Sequence, residues 1–303
     1  MQLAFHLLDV FTDKRLTGNP LAVVLEAQGL TSDAMQKIAR EFNQSETVFV
    51  LRPQNPAHSA MIRIFTPSRE LPFAGHPTVG TAALLAELQS PENGAERDAL
   101  VVLEQTIGVV RVGVRMRQGA PSFAEFDAPK LPAEAGTLVA IDQLAAGLDL
   151  MPNEIGFENH KPVCFAAGNA FAFIPVASLE AIGKARVNAP HWGTAFQEQG
   201  LVGAYLYTRQ CEHMTSAFHV RMFAPDAGVP EDPATGSAAV CFAGAVHKFD
   251  ALPDGVHRKT IEQGYEIGRP SSIALTLHVA GGRLTGVRIG GHAVRVAEGT
   301  IVV

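Results

Sequence analysis

Cysteine is scarce in this 303-residue chain: Cys164, Cys211 and Cys241 are scattered and odd in number. That pattern excludes a disulfide framework and fits a reducing, cytoplasmic setting in which Cys acts as a small core residue. Basic residues are not in excess; 24 Lys and Arg against 30 Asp and Glu leave a net charge of −6. Nucleic acid and anionic membrane are therefore not expected partners. Long hydrophobic runs are missing as well, and the uncharged stretch of residues 233–246 is rich in Ala and Gly. No membrane-spanning helix is expected. The first residues carry no basic n-region and meet Asp9 early, so they read as a strand and not as a signal peptide. No P-loop, G-x-G-x-x-G or G-x-S-x-G motif is present, which removes the usual signatures of nucleotide binding and of a serine-nucleophile elbow. His213 and His219 lie near a strand without a carboxylate or Cys to complete a ligand set, so no metal is expected. With 47% apolar and 18% charged residues, the composition is that of a soluble globular protein, and the length suits two domains.

What the chain does contain is an internal repeat. Residues 63–85 return in altered form as residues 221–243, aligned without a gap at an offset of 158 (Arg63 to Arg221). Arg63, Phe65, Pro67 and Pro72 recur as Arg221, Phe223, Pro225 and Pro230. Each copy leads through a turn into a charge-free run, residues 77–86 and 233–246. A helix that is small or apolar all round is buried on all faces. The sequence thus predicts two buried helices, one starting at Pro77 and running to about Leu88, the other spanning residues 236–248. Pro77 and Pro233 suit a first helical turn, where a missing N–H costs nothing. Strand-like segments surround both: residues 3–10, 21–25, 47–51, 61–65, 100–104 and 108–116 in the first half, and 163–176, 203–208, 218–223, 273–279, 284–289 and 293–303 in the second. Met35, Ile38, Ala39 and Phe42 follow helical spacing after an N-cap at Thr31 or Ser32, and residues 178–184 look helical. Residues 90–97 read as a loop. A domain boundary is expected near residues 118–121. Gly168 and Asn169 echo Gly18 and Asn19.

The polar residues at the helix starts differ between the copies, and that is where chemistry would sit. Helix starts offer unpaired N–H groups and a partial positive charge of roughly half an elementary charge. If both face one interdomain cleft, the cleft is prepared for an anion. Thr235, Gly236 and Ser237 form the better cradle, and a substrate carboxylate is the natural guest. His76, after Gly75, is expected neutral because the helix dipole disfavours imidazolium. Asp232 is a favoured N-cap for the second helix, and the capping role could coexist with a functional one, one oxygen on the backbone and one facing a ligand. Glu46 stands before a buried strand, either as a solvated strand-end residue or as a proton-transfer group. At the 158 offset its counterpart is Ala204. Ser237 lacks a histidine partner in sequence, and Cys241 reads as core.

These residues resemble the PhzF family, the phenazine-biosynthesis isomerases and their relatives. The resemblance rests on Asp9-Val10-Phe11-Thr12 with Gly18-Asn19-Pro20, on Gln44-Ser45-Glu46-Thr47, on Gly75-His76-Pro77-Thr78, and on Glu231-Asp232-Pro233-Ala234-Thr235-Gly236-Ser237-Ala238, in the family's order across nearly the whole chain. It implies an α+β fold like that of diaminopimelate epimerase, with two pseudo-symmetric domains that each wrap a strongly curved sheet around a central buried helix. Residues 1–118 with about 292–303 would form the first domain and residues 119–291 the second, with the site between them. It also implies a cofactor-independent isomerase with Glu46 as acid and base, and with Asn19, Gly75, His76, Asp232, Thr235, Gly236 and Ser237 on the substrate. The partners it implies are a small carboxylate-bearing substrate and a second copy of the chain. The racemase branch of this fold uses one Cys at each helix mouth; the matching positions here look like Ala74 and Pro233, which carry no proton. A single carboxylate then fits a transfer on one face of the substrate. The rivals are an epimerase using Glu46 opposite a group such as Asp232, and a binding protein that turns nothing over.

Overall fold

The structure, a computed structural model, describes residues 1–89 and 96–303. The loop expected over residues 90–97 therefore lies mostly outside the described residues. The chain divides into two compact units, Met1–Pro129 with Gly290–Val303, and Lys130–Ile289.

The first unit holds strands β1 (Gln2–Val10), β2 (Asn19–Val24), β3 (Glu46–Leu51), β4 (Ala60–Phe65), β5 (Glu70–Leu71), β6 (Arg97–Gln105), β7 (Gly108–Met116) and β8 (Ser122–Asp127), with helices α1 (Ser32–Phe42) and α2 (Gly75–Leu88). It extends past residue 118, where the boundary was expected, because β8 pairs antiparallel with β7. The second unit holds β9 (Ala133–Glu134), α3 (Ile141–Gly147), β10 (Val163–Ala166), β11 (Ala170–Pro175), α4 (Leu179–Lys184), α5 (Ala189–Ala195), β12 (Gly203–Thr208), β13 (Phe218–Ala224), β14 (Val229–Asp232), α6 (Gly236–Phe249), β15 (Gly255–Gln263) and β16 (Ser271–Ala280). Strand β17 (Arg283–Val302) merges the last two expected strands into one, and its later residues pair antiparallel with β1. The sequence reading assigns nothing to α3, α5 or β15.

Helix α1 is amphipathic and sits on the surface. Thr31 is its N-cap, its hydroxyl accepting from the Ala34 N–H at 3.2 Å, and Asn43 closes it in the left-handed region at φ 50°. Met35, Ile38 and Ala39 are its buried positions. Helices α2 and α6 have no such polar face. Every residue of α2 from Gly75 to Leu84 is buried, and the helix packs against β1, β2, β3, β6, β7 and β8. Helix α6 packs against β9, β10, β11 and β16. Glycine sets how closely the strands approach. A Cβ at Gly80 would lie 2.6 Å from Val10 Cγ2 and 2.7 Å from Leu21 Cδ2; one at Gly244 would lie 2.5 Å from the Phe165 ring. Phe242 on α6 anchors the second core, meeting the rings of Phe173, Tyr205, Tyr207 and Phe218 at centroid distances from 4.7 to 5.8 Å.

The sheet registers revise the alignment of the repeat. Strands β4 and β6 pair Ala60 with Leu103 and Met61 with Glu104, while β13 and β15 pair Phe218 with Ile261 and His219 with Glu262, all at the offset of 158. The next hairpin pairs Ile64 with Leu71 in one copy and Met222 with Asp232 in the other. Leu71 therefore corresponds to Asp232, an offset of 161. Three residues are inserted in the second copy, where a short 3-10 turn, Pro225–Ala227, precedes β14. The helices keep the new offset, Gly75 matching Gly236, and a shorter connection before β15 restores the old one. The gapless alignment thus conceals two compensating length changes. Pro72 matches Pro233 and not Pro230, Ala74 matches Thr235 and not Pro233, and His76 matches Ser237. Pro233 precedes the N-cap of α6, Thr235, and so is not in the first turn. Helix α2 begins at Gly75, two residues before Pro77.

Candidate active site

In the first unit the structure brings Glu46 and His76 together. Glu46 is the first residue of β3 and is aligned in parallel register with Leu21 of β2. Leu21 is one of the two side chains that Gly80 lets approach α2, so the packing that buries the helix also carries its first turn to Glu46. His76, the second residue of α2, places Nε2 3.2 Å from Glu46 Oε2. Burial pushes the His76 imidazole down to about 3, so it is neutral near pH 7. Its Nε2 makes no hydrogen bond among the described residues. Gly75 is buried beside it, and Ala74, the N-cap, has no side-chain oxygen with which to cap the helix. Thr78 folds its hydroxyl back onto the Ala74 carbonyl at 2.8 Å and receives Gln105 Nε2 at 3.0 Å. Asn19 opens β2, fully buried, opposite Val10 of β1. The sheet register supports its echo: Leu21 stands beside Glu46 as Phe171 stands beside Gly203, which sets Asn19 against Asn169.

The second unit gathers Asp232, Thr235, Gly236 and Ser237 at the start of α6. Asp232 ends β14. The Thr235 hydroxyl donates to Asp232 Oδ2 at 2.5 Å, so Thr235, although the N-cap, gives its side chain to the carboxylate and not to the helix. Gly236 and Ser237 are the first two helical residues, and no side chain of the N-cap takes their amides. Asp232 itself is not the cap that was one of its two expected roles. Gln263, which the sequence reading passes over, touches this turn at three points: its Oε1 accepts from the Thr235 N–H at 3.1 Å, and its Nε2 donates to the Asp232 carbonyl at 2.7 Å and to Thr235 Oγ1 at 3.0 Å. A signal for it was available, since Gln105 and Gln263 stand 158 apart and each ends a strand.

The residue facing Glu46's place in the second copy also changes. Strands β3 and β12 both have six residues and begin at Glu46 and Gly203. Their registers with β4 and β13, Thr47 with Phe65 and Ala204 with Phe223, make Gly203 the counterpart, not Ala204. A Cβ there would strike the carbonyl oxygen of Phe223 and lie 2.7 Å from Met222 Cε. The second copy has no room for a carboxylate at that point.

Other polar groups have structural partners. His219 lies between Glu262 (2.8 Å) and Glu266 (2.9 Å), and the two carboxylates outweigh burial to hold its imidazole up at about 9. It is half of an ion cluster, and no group of three or more His, Cys, Asp or Glu suited to a metal ion occurs among the described residues. Burial pushes the Cys241 thiol up to about 12, which suits a core residue and not a nucleophile. A pocket of about 470 Å³ in the first unit, lined by His58, Met61, Glu104 and Gln105 among others, contains none of the expected site residues. No helix among the described residues is long and apolar enough to cross a membrane.

Similar proteins agree with this architecture. A solved phenazine biosynthesis protein of the PhzF family from Bacillus anthracis superposes over all of both chains with a TM-score of 0.89 at 25% identity. A probable proline racemase from Agrobacterium radiobacter shares the fold alone, with a TM-score of 0.63 at 10% identity over 99% of this chain and 93% of its own. The fold is thus that of the diaminopimelate epimerase and proline racemase group. An uncharacterized isomerase from Mesorhizobium japonicum is 52% identical over the full length of both chains. A trans-2,3-dihydro-3-hydroxyanthranilate isomerase from Pseudomonas aeruginosa is 34% identical over 97% of this chain and 98% of its own. The family profile described as "Phenazine biosynthesis-like protein" matches residues 8–299, and the chain belongs to that family.

Proposed function

We propose that the protein moves a proton between carbons of a small carboxylate-bearing metabolite of the trans-2,3-dihydro-3-hydroxyanthranilate type, with Glu46 as the only acid and base. The observation that carries this is the approach of Glu46 Oε2 to a neutral His76 with no hydrogen bond at Nε2. A neutral imidazole brings no positive charge to the carboxylate that would take up the proton. The proton leaves one carbon for Glu46 and returns from it to another, and no electrons are exchanged with a third party; a cofactor is not required. His76 orients a polar substituent, with Asn19 and Gly75 beside it. Asp232 does the same from the second cluster, where the Gly236 and Ser237 amides and the Ser237 hydroxyl hold the carboxylate, and Thr235, whose N–H and hydroxyl are taken by Gln263 and Asp232, sets the turn that presents them.

Glu46→Gln is expected to lower kcat by about 10²–10⁴-fold while leaving binding of the substrate largely intact. Full activity in that variant would remove Glu46 from the mechanism. Epimerisation would need two opposed proton carriers. The matched helix mouths hold Ala74 and Thr235, neither of which exchanges a proton near pH 7. Turnover in deuterated water separates the two chemistries: label entering at the original carbon with inversion would favour epimerisation, and hydrogen retained at a new carbon would favour transfer on one face.

A further inference from the structure

Gln263 is fully buried at the end of β15. The next residue, Gly264, has φ +81°, and a Cβ there would lie 2.7 Å from the Pro233 carbonyl oxygen and 3.1 Å from Pro233 Cα. The strand end is therefore pressed against the turn that carries Asp232, at a distance only glycine permits. From that position the Gln263 amide reaches both ends of the turn, the Asp232 carbonyl and the Thr235 N–H, and also the Thr235 hydroxyl. A hydroxyl has one proton. Because Gln263 Nε2 donates to Thr235 Oγ1, that proton is turned toward Asp232 Oδ2, where the 2.5 Å bond is found.

The other copy supplies the control. Gln105 occupies the same place at the end of β6, but its Nε2 reaches Thr78, inside the helix, and its Oε1 has no hydrogen-bond partner among the described residues. Thr78 matches Ala239 in the second helix, which offers no hydroxyl. The three-residue insertion thus brings a different threonine, Thr235, within reach of the second glutamine. One glutamine braces a helix; the other braces the turn before it.

We propose that Gln263 is a positioning residue that fixes both the direction of the Asp232 carboxylate and, by holding the Thr235 N–H, the attitude of the Gly236 and Ser237 amides, so that the turn is set for a carboxylate before substrate arrives. The proposal rests on the assignment of these residues to substrate binding made above. Gln263→Met keeps the volume and removes all three bonds. With trans-2,3-dihydro-3-hydroxyanthranilate as substrate, it is expected to raise KM about tenfold while changing kcat by less than about threefold, the loss of roughly one well-placed hydrogen bond. Thr235→Val should do the same, and Gln263→Met with Thr235→Val together should be no worse than the poorer single variant. Additive losses, or an unchanged KM in a folded Gln263→Met protein, would overturn the proposal.

Amide hydrogen exchange needs no substrate and separates this inference from the functional one. The Thr235 amide should exchange at least about tenfold faster in Gln263→Met and at the wild-type rate in Gln105→Met. Faster exchange in a protein whose wild type neither binds nor turns over the substrate would sink the functional assignment and leave the brace standing. Unchanged exchange would sink the brace whatever the activity.

Discussion

In the first unit Glu104 accepts the amides of Gln54 and Asn55 at 2.7 and 2.9 Å; in the second, Glu262 accepts those of Glu212 and His213 at 2.6 and 3.1 Å. All three positions of the clamp recur at the offset of 158, and the carboxylate is Glu in both. A carboxylate at a strand end thus pins the same hairpin loop in both copies by accepting two successive backbone amides. The helix mouths tell the opposite story. His76 is matched by Ser237, Ala74 by Thr235, Leu71 by Asp232, and Glu46 by a glycine, Gly203, that excludes any side chain. The duplicated scaffold keeps the bonds that make the frame and varies the groups that would meet a substrate.

A second pair of matched ions has kept its identity but changed its weight. Arg63 pairs with Glu70 near the surface and also meets Ser32, at the start of α1. Arg221 pairs with Glu231 in the interior and donates to the carbonyls of Ile182, Gly183 and Ala185 at the end of α4. There its charge is well placed against the helix dipole.

The comparison can be broken most severely at Gly203. Gly203→Glu, which would give the second copy the carboxylate of the first, is expected to cost about 4–5 kcal/mol or to prevent folding, since the collision is with backbone. Denaturant unfolding or soluble yield would show it, and a stable variant would refute the register drawn here. Next in size, Arg221→Met should cost about 3 kcal/mol by leaving Glu231 buried and unpaired, whereas Arg63→Met should cost less than about 1 kcal/mol. Equal losses in the two unfolding curves would show that burial does not distinguish the pairs.

The smallest expected effect is a pair of opposed pH slopes. His219 has a raised value in the fold, about 9 against an ordinary 6.5, so its contribution is complete below pH 6.5 and fades as pH rises through about 9. His76 has a lowered value, about 3, so its contribution is complete above pH 6.5 and fades as pH falls toward 3. The stability gap between wild type and His219→Gln should therefore narrow from pH 6 to 9, and that between wild type and His76→Gln should narrow from pH 7 to 4. Slopes of the same sign would contradict the two environments.

Much of the frame was legible in the chain. The charge-free runs announced two buried helices, because a helix with no polar face has nowhere to go but the interior. The spacing of Met35, Ile38 and Ala39 announced α1 and its Thr31 cap. Glu46, His76, Asp232, Thr235, Gly236 and Ser237 were legible as candidates from their motifs. The echo of Gly18 and Asn19 in Gly168 and Asn169 was legible too, although it stands at a different offset from the rest. Two things were not. Strand β15 carries Arg258, Lys259 and Glu262, and without a clean alternation it gives no strand signal. Gln263 shares the 158 offset with Gln105, but which turn it braces shows only once that turn is folded against it.

The sequence by itself determined which segments must be buried and which residue types stand at the helix starts, since burial and capping are local demands that the pattern of apolar and small residues states directly. Only the tertiary structure decided which residues correspond between the copies. Two length changes that cancel leave no trace in a gapless alignment, and hydrogen-bond register in the sheet is what fixes each strand against its neighbour. For the same reason, that Glu46 meets His76, and Gln263 meets Asp232 and Thr235, could be settled only by packing between segments far apart in the chain.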